Sequence, residues 1–217
     1  MTQTRTVLCF GDSNTYGAIP TLTRVGRHRY APDRRWPGIM RRQLGSGWEV
    51  IEEGHPGRTT VHEDPVEGLH KSGIKALPVC LETHSPIDLV ILMLGTNDLK
   101  YRFSVTPADI ADSIQVLVRA VQRSDAGHGG AAPAVLIASP PPMLEIDWFG
   151  EMFRGGAAKS QLLPPLIRDM ARRSSVQVFD MAEHVESSTV DGIHFEGDAH
   201  KILGTELAKV VQAMLAE

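Results

Sequence analysis

Val7-Leu8-Cys9-Phe10-Gly11-Asp12-Ser13-Asn14-Thr15-Tyr16-Gly17 carries four apolar residues straight into a Gly-Asp-Ser turn. The apolar run is long enough for one buried strand, and Gly11 lets the backbone turn sharply at its end. Ser13 then lies just past the carboxyl end of that strand, the edge at which open α/β sheets gather their reactive groups. Two readings of this turn stand at this point. Asp12 and Ser13 can cap the next helix, or Ser13 can be a nucleophile beside backbone amides that stabilise an anion.

The same pattern recurs along the chain. Residues 48–53 read as a second strand, ending in the turn-rich His55-Pro56-Gly57-Arg58-Thr59-Thr60. Gly57 there serves either a positive φ or a close approach of backbone N–H to a ligand. Asp88-Leu89-Val90-Ile91-Leu92-Met93-Leu94 is apolar without alternation, as a strand covered on both faces must be, and runs into Gly95-Thr96-Asn97-Asp98. Residues 134–138 and 176–179 read as further strands. Helices are expected over 36–44, 74–84, 108–123, 157–173 and 199–215, with Pro164-Pro165 kinking or breaking the fourth of these. Alternating strands and helices argue an α/β fold with a mostly parallel central sheet covered on both faces.

Composition narrows the function. The chain has 217 residues, 42% hydrophobic and 22% charged, which fits a single domain spanning 1–217 with an inserted irregular segment at 19–35. A net charge of −4 gives no reason to expect nucleic acid or an anionic membrane as partner. No apolar run approaches a membrane span, and the polar Met1-Thr2-Gln3-Thr4-Arg5 holds no secretory core, so a cytoplasmic location is expected. Cys9 and Cys80 sit in apolar surroundings and read as small buried hydrophobes. The insert carries Arg24, Arg27, Arg29, Arg34 and Arg35 against Asp33 alone. It reads as a docking surface for an anionic substrate, a solvated loop, or a face that packs on another subunit. Trp148, Phe149 and Phe153 follow a strand end and either wall an apolar pocket or bury against their own surroundings.

Acyl transfer of the serine type needs a hydroxyl, a base, an orienter of the base and donors for the oxyanion. Asp191-Gly192-Ile193-His194 supplies the middle two: three residues apart, the carboxylate reaches imidazole Nδ1 and leaves Nε2 for Ser13. Available oxyanion donors are the backbone N–H of Ser13 and of Gly57 and the side-chain amide of Asn97.

These four blocks, in this order and at these strand ends, resemble the SGNH (GDSL) hydrolase family. Gly-Thr-Asn-Asp alone would arise by chance in roughly one such chain in several hundred. The resemblance implies a flavodoxin-like three-layer α/β/α sandwich. It implies Ser13 as nucleophile, His194 as general base and then acid, Asp191 as orienter, and Ser13, Gly57 and Asn97 as the oxyanion hole. It implies neither metal nor cofactor. Cys9-Phe10-Gly11-Asp12-Ser13, Ile51-Glu52-Glu53-Gly54, Arg58-Thr59-Thr60, Met93-Leu94-Gly95-Thr96-Asn97-Asp98 and the final block look like the bacterial arylesterase and acyltransferase branch. That branch implies hydrolysis of short acyl esters, acyl transfer to alcohols in some members, and homo-oligomers built through inserted loops such as 19–35. A carbohydrate acetylesterase or a thioesterase of the same family is the alternative. A non-catalytic flavodoxin-like module binding a phosphate-bearing ligand at the first turn is the alternative of another class. Trp148, Phe153, Ile193 and Phe195 are the expected pocket lining. Asn14 and Tyr16 depart from the family's usual Leu and Trp; they lie beside the nucleophile and bear on pocket shape, and neither is expected to touch the catalytic set.

Overall fold

A computed structural model describes residues 4–23 and 28–216. Five strands, β1 (Arg5–Gly11), β2 (Trp48–Gly54), β3 (Leu89–Met93), β4 (Ala134–Ser139) and β5 (Gln177–Asp180), form one sheet in the order β2-β1-β3-β4-β5. Every neighbouring pair is parallel. Seven α-helices among the described residues connect and cover them: α1 (Ser13–Tyr16), α2 (Trp36–Leu44), α3 (Gly73–His84), α4 (Pro107–Gln122), α5 (Asp147–Met152), α6 (Gly156–Arg173) and α7 (Gly197–Met214).

Parallel strands need crossover connections, and helices supply them. The helices in turn bury both faces of the sheet, so alternate residues of one strand enter different layers. Leu8, Phe10, Val90 and Leu92 join Leu77 of α3, Ile110, Ile114 and Leu117 of α4, and Ile167 of α6. Val7, Cys9, Leu89 and Ile91 join Trp36 and Met40 of α2 and Leu203, Leu207 and Val211 of α7. The strand order is that of the flavodoxin-like sandwich expected above. Its chain reversal falls between β1 and β3, and the crevice outside their carboxyl ends is where such sheets bind ligands.

Local signals explain the helix ends. Thr106 and Asp109 form a reciprocal capping box ahead of α4, with Asp109 N–H donating to Thr106 Oγ1 at 3.1 Å and Thr106 N–H donating to Asp109 Oδ2 at 2.8 Å. The expected break at Pro164-Pro165 is absent: α6 runs from Gly156 to Arg173 through both prolines. Two backbone donors are lost there, but Leu163, Ile167 and Met170 on either side are buried in the first core layer and hold the turn in place.

The insert also departs from expectation. Arg24 and Arg27 lie outside the described residues. Arg35, however, is buried and pairs with Glu52 of β2, which also receives Arg41 at 3.2 Å and Arg29 at 3.8 Å. The Arg29 guanidinium stacks 4.0 Å from the Tyr16 ring centre. Arg35 is thus an internal tie that closes the insert against the sheet, and Arg29, though exposed, is held by the same carboxylate and by Tyr16. Cys9 and Cys80 are buried and unpaired, and burial raises both thiols above their ordinary range, Cys80 to about 11. No helix among the described residues is long and apolar enough to cross a membrane.

Candidate active site

Ser13 opens α1 directly after β1, where first-turn amides have no intrahelical acceptor. Asp12 caps that turn by accepting from Asn14 N–H at 2.9 Å. Gly11 is obligatory: a Cβ there would lie 2.0 Å from Thr15 Oγ1 and 2.9 Å from the Met93 carbonyl of the neighbouring strand.

The chain returns to this turn 181 residues later. His194 Nε2 lies 3.0 Å from Ser13 Oγ, and His194 Nδ1 lies 2.7 Å from Asp191 Oδ2. Asp191 is fully buried, yet its carboxyl is held below its ordinary value. Burial pushes it upward. Hydrogen bonding and charge from the His194 ring, then the backbone N–H groups of His194 and Ile193 at 2.9 and 3.0 Å, outweigh burial. The ionised carboxylate fixes the proton on Nδ1, so Nε2 is the free acceptor for the serine hydroxyl. A fourth donor comes from the insert: Thr21 N–H reaches Asp191 Oδ2 at 3.0 Å.

The expected oxyanion donors converge on the same cleft: Ser13, Gly57 and Asn97 all line it. Asn97 begins the single turn that follows β3. Its amide donates one N–H to Asp12 Oδ2 at 3.4 Å and has a second to offer. Gly57 takes the positive φ that was one of the two readings left open by the sequence, and a side chain there would also meet a neighbour. Its φ is +80°, and a Cβ would meet the Glu67 carboxylate at 2.5 Å. The loop is locked to the nucleophile turn through one carbonyl, because Gly11 O accepts from both His55 N–H at 3.0 Å and Arg58 Nη1 at 2.9 Å. The Arg58 guanidinium carbon itself sits over Phe10, 4.1 Å from the ring centre. The loop is joined to Asn97's turn by Asp98, which accepts from Thr60 N–H at 3.0 Å and from Thr60 Oγ1 at 2.5 Å. Burial raises Asp12 to about 6 and Asp98 to about 7.

The cleft has a volume of about 570 Å³ and two unlike walls. Ile19, Trp148, Phe149, Met152, Phe153 and Ile193 make one apolar, with the Phe149 ring set edge-on to His194 at 5.9 Å. Glu67, Lys100 and Arg102 make the other. Lys100 is almost wholly buried and pairs with Glu67 at 2.8 Å and Asp64 at 3.2 Å, while Arg102 pairs with Asp64 at 2.9 Å. These four charges hold one another, so the wall is polar without net charge.

Three of the four expected lining residues, Trp148, Phe153 and Ile193, face the cleft. Phe195 does not. It turns into the second core layer among Trp36, Met181 and Leu203, where its large apolar ring is removed from water, while His194 beside it faces the serine. Among the described residues Asn14 makes no hydrogen bond to a side chain of the expected catalytic set, but it binds the backbone on either side of His194. Buried, it donates Nδ2–H to Ile193 O at 3.1 Å and accepts Phe195 N–H on Oδ1 at 3.2 Å. Phe149, named with Trp148 and Phe153 as a candidate pocket wall, also faces the cleft; Met152 sat in the same segment without being singled out, and Arg58 stood in a quoted motif without a role. Thr21, Glu67, Lys100 and Arg102 carried no sequence signal.

A hydroxyl on an imidazole, an imidazole on a buried carboxylate and amides around one cleft suit acyl transfer. The comparisons agree. The GDSL-like lipase/acylhydrolase family matches over residues 9–202. The aryl esterase of M. smegmatis superposes with a TM-score of 0.93 at 43% identity, covering 97% of this chain and 100% of that one. A carbohydrate acetylesterase from Sinorhizobium meliloti gives 0.93 at 40% identity over the same shares. A lipase/acylhydrolase from Enterococcus faecalis, 20% identical with a TM-score of 0.69 over 97% of this chain and 96% of that one, shares the fold. No curated protein matches the chain. With the family matched across nearly the whole chain and two esterases superposing along its length, the chain belongs to the GDSL (SGNH) hydrolases and is an esterase or acylhydrolase.

Proposed function

We propose that the protein is a serine esterase that cleaves short-chain acyl esters through an acyl-enzyme. Ser13 attacks the ester carbonyl carbon while His194 Nε2 takes the hydroxyl proton. The carbonyl π pair moves onto oxygen, where the N–H groups of Ser13 and Gly57 and the Asn97 amide receive the charge. Collapse of the intermediate breaks the ester C–O bond, and His194 returns its proton to the departing alkoxide. Water, deprotonated by the same imidazole, then attacks the acyl carbon and releases acid and free Ser13. An alcohol in place of that water gives acyl transfer. Asp191 keeps the proton on Nδ1 and stabilises the imidazolium in each half-reaction.

The observation that carries this reading is the linear relay from Ser13 Oγ through His194 to buried Asp191, at 3.0 and 2.7 Å. A fluorophosphonate should give one adduct, on Ser13, and Ser13→Ala should abolish p-nitrophenyl acetate hydrolysis. Near-normal turnover in Ser13→Ala removes the serine from the mechanism.

The cleft supports a small acyl group against the aromatic wall and an alcohol portion along Glu67, Lys100 and Arg102. That polar wall, with the acetylesterase relative at 40% identity, favours an acetylated sugar as a second substrate class. A screen of p-nitrophenyl esters by chain length and of acetylated sugars, with and without an alcohol acceptor, separates these. Assembly of copies through the 19–35 insert belongs to the same reading, and light scattering tests it.

A further inference from the structure

Every backbone polar group from Ile193 N–H to Phe195 N–H is engaged. Ile193 N–H and His194 N–H donate to Asp191 Oδ1, at 3.0 and 2.9 Å. His194 O accepts from Ser188 N–H at 2.9 Å. These bonds lie within one loop and would keep its shape wherever it sat. Asn14 makes the other two. Its amide grips Ile193 O on one side of His194 and Phe195 N–H on the other, and the amide belongs to the residue next to Ser13. Asn14 is buried and sits in α1, whose backbone Asp12 already caps. Its side chain is therefore a short, fixed bracket between the nucleophile turn and the base's own backbone. The side chains of Ile193 and Phe195 set the depth of the loop by entering opposite core layers. They are apolar contacts and impose no hydrogen-bond register on Ser13.

We propose that Asn14 is a positioning residue for His194, fixing the imidazole's place against the Ser13 hydroxyl independently of the bond between them. This rests on the serine-esterase reading above. A base that must give and retake a proton changes its bond to Oγ at each step, so that bond cannot also hold the ring in place. The bracket does so throughout the cycle. A leucine at this position, the letter from which the family takes its name, fills a similar volume but can make neither bond.

The test is Asn14→Leu, assayed on p-nitrophenyl acetate beside wild type and Ser13→Ala, at a temperature where circular dichroism shows each variant folded. Small misplacements of reacting groups cost up to about 100-fold in rate. We expect kcat to fall by about 10- to 100-fold with KM within about threefold, and fluorophosphonate labelling of Ser13 to slow in parallel. In the proton NMR spectrum the downfield His194 Nδ1–H signal should persist, because Asp191 and its own loop are untouched. Loss of that signal would mean the loop has come apart and would overturn a positioning role. Wild-type kcat and labelling rate in folded Asn14→Leu would overturn it as well. If wild type itself is not labelled at Ser13, the esterase reading fails first, so the two failures are distinct. Should Asn14→Leu not fold, Asn14→Ser, which leaves room for water to reach Ile193 O and Phe195 N–H, is judged by the same criteria.

Discussion

Replacing His200 should remove a specific acid sensitivity from the fold. His200 lies in α7, fully buried, with Nδ1 accepting Trp36 N–H at 3.2 Å. Its proton is therefore on Nε2, which has no hydrogen-bond partner. The ring is set edge-to-face against Tyr30 at 5.1 Å and Phe195 at 5.9 Å. Burial first, then the charges of His194 and Arg35, push its pKa from 6.5 down to about 4. Above pH 6.5 the ring is neutral whether the chain is folded or not, and the full contribution to stability is present. Between 6.5 and about 4 the unfolded chain binds a proton that the folded chain refuses, so stability falls as pH falls. At about 1.4 kcal/mol per pH unit, the loss reaches roughly 3 kcal/mol by pH 4 and then levels off. Asp12 and Asp98 act in the opposite sense over the same range. Their folded pKa values of about 6 and 7 lie above 3.8, so the folded chain takes up protons first and gains stability as pH falls. The wild-type curve mixes all three, and the difference from a variant isolates one. His200→Asn keeps an acceptor for Trp36 N–H and has no titrating group. Urea unfolding followed by tryptophan fluorescence from pH 7.5 to 4.5 should show wild type losing about 2–3 kcal/mol relative to His200→Asn. A difference flat to within about 0.5 kcal/mol would refute the reasoning.

Three further outcomes are expected. Asn97→Ala should lower kcat on p-nitrophenyl acetate by about 10²–10³ with little change in KM, since one oxyanion donor typically carries about 3–4 kcal/mol of barrier; steady-state kinetics checks it. Gly57→Ala forces an alanine to φ +80° and its methyl into the Glu67 carboxylate. It should cost about 1–2 kcal/mol of stability and cut kcat at least as far as tenfold, because the loop must shift; thermal melting and kinetics on one preparation read both. Glu52→Gln leaves buried Arg35 without its charge partner and should destabilise by roughly 3 kcal/mol, a fall in Tm of about 6–12 °C, with kcat intact in the folded fraction.

The sheet was readable because each central strand is buried on both faces and so is written as an unbroken apolar run ending in glycine and small polar residues. The Gly-Asp-Ser and Gly-Thr-Asn-Asp blocks were readable because each sits at such an end, and the switch between β1 and β3 brings Ser13 and Asn97 to adjacent strands; the Asp191–His194 block, well past β5, was readable by its spacing and its place ahead of α7. What could not be read depends on partners far along the chain. Arg35 looks like loop charge until Glu52 on β2 is set beside it. Asn14 looks like a residue that only shapes the pocket until Ile193 and Phe195 are set beside it. Phe195 adjoins a functional histidine and shares its loop, but its ring packs into the second core layer, and adjacency in sequence misled. Pro164-Pro165 predicted a break from local rules, which burial of Leu163 and Ile167 overrode.

The contact between Ser13 and His194 spans 181 positions, with β2, β3, β4, β5 and the helices from α2 to α6 strung between. On a ribosome the serine emerges 181 residues ahead of its base. With the roles proposed above, a nascent chain carries an inert alcohol throughout that interval, and hydrolytic competence waits until His194 closes onto the first turn. A chain stalled or cut short within those residues would hold the nucleophile without its base.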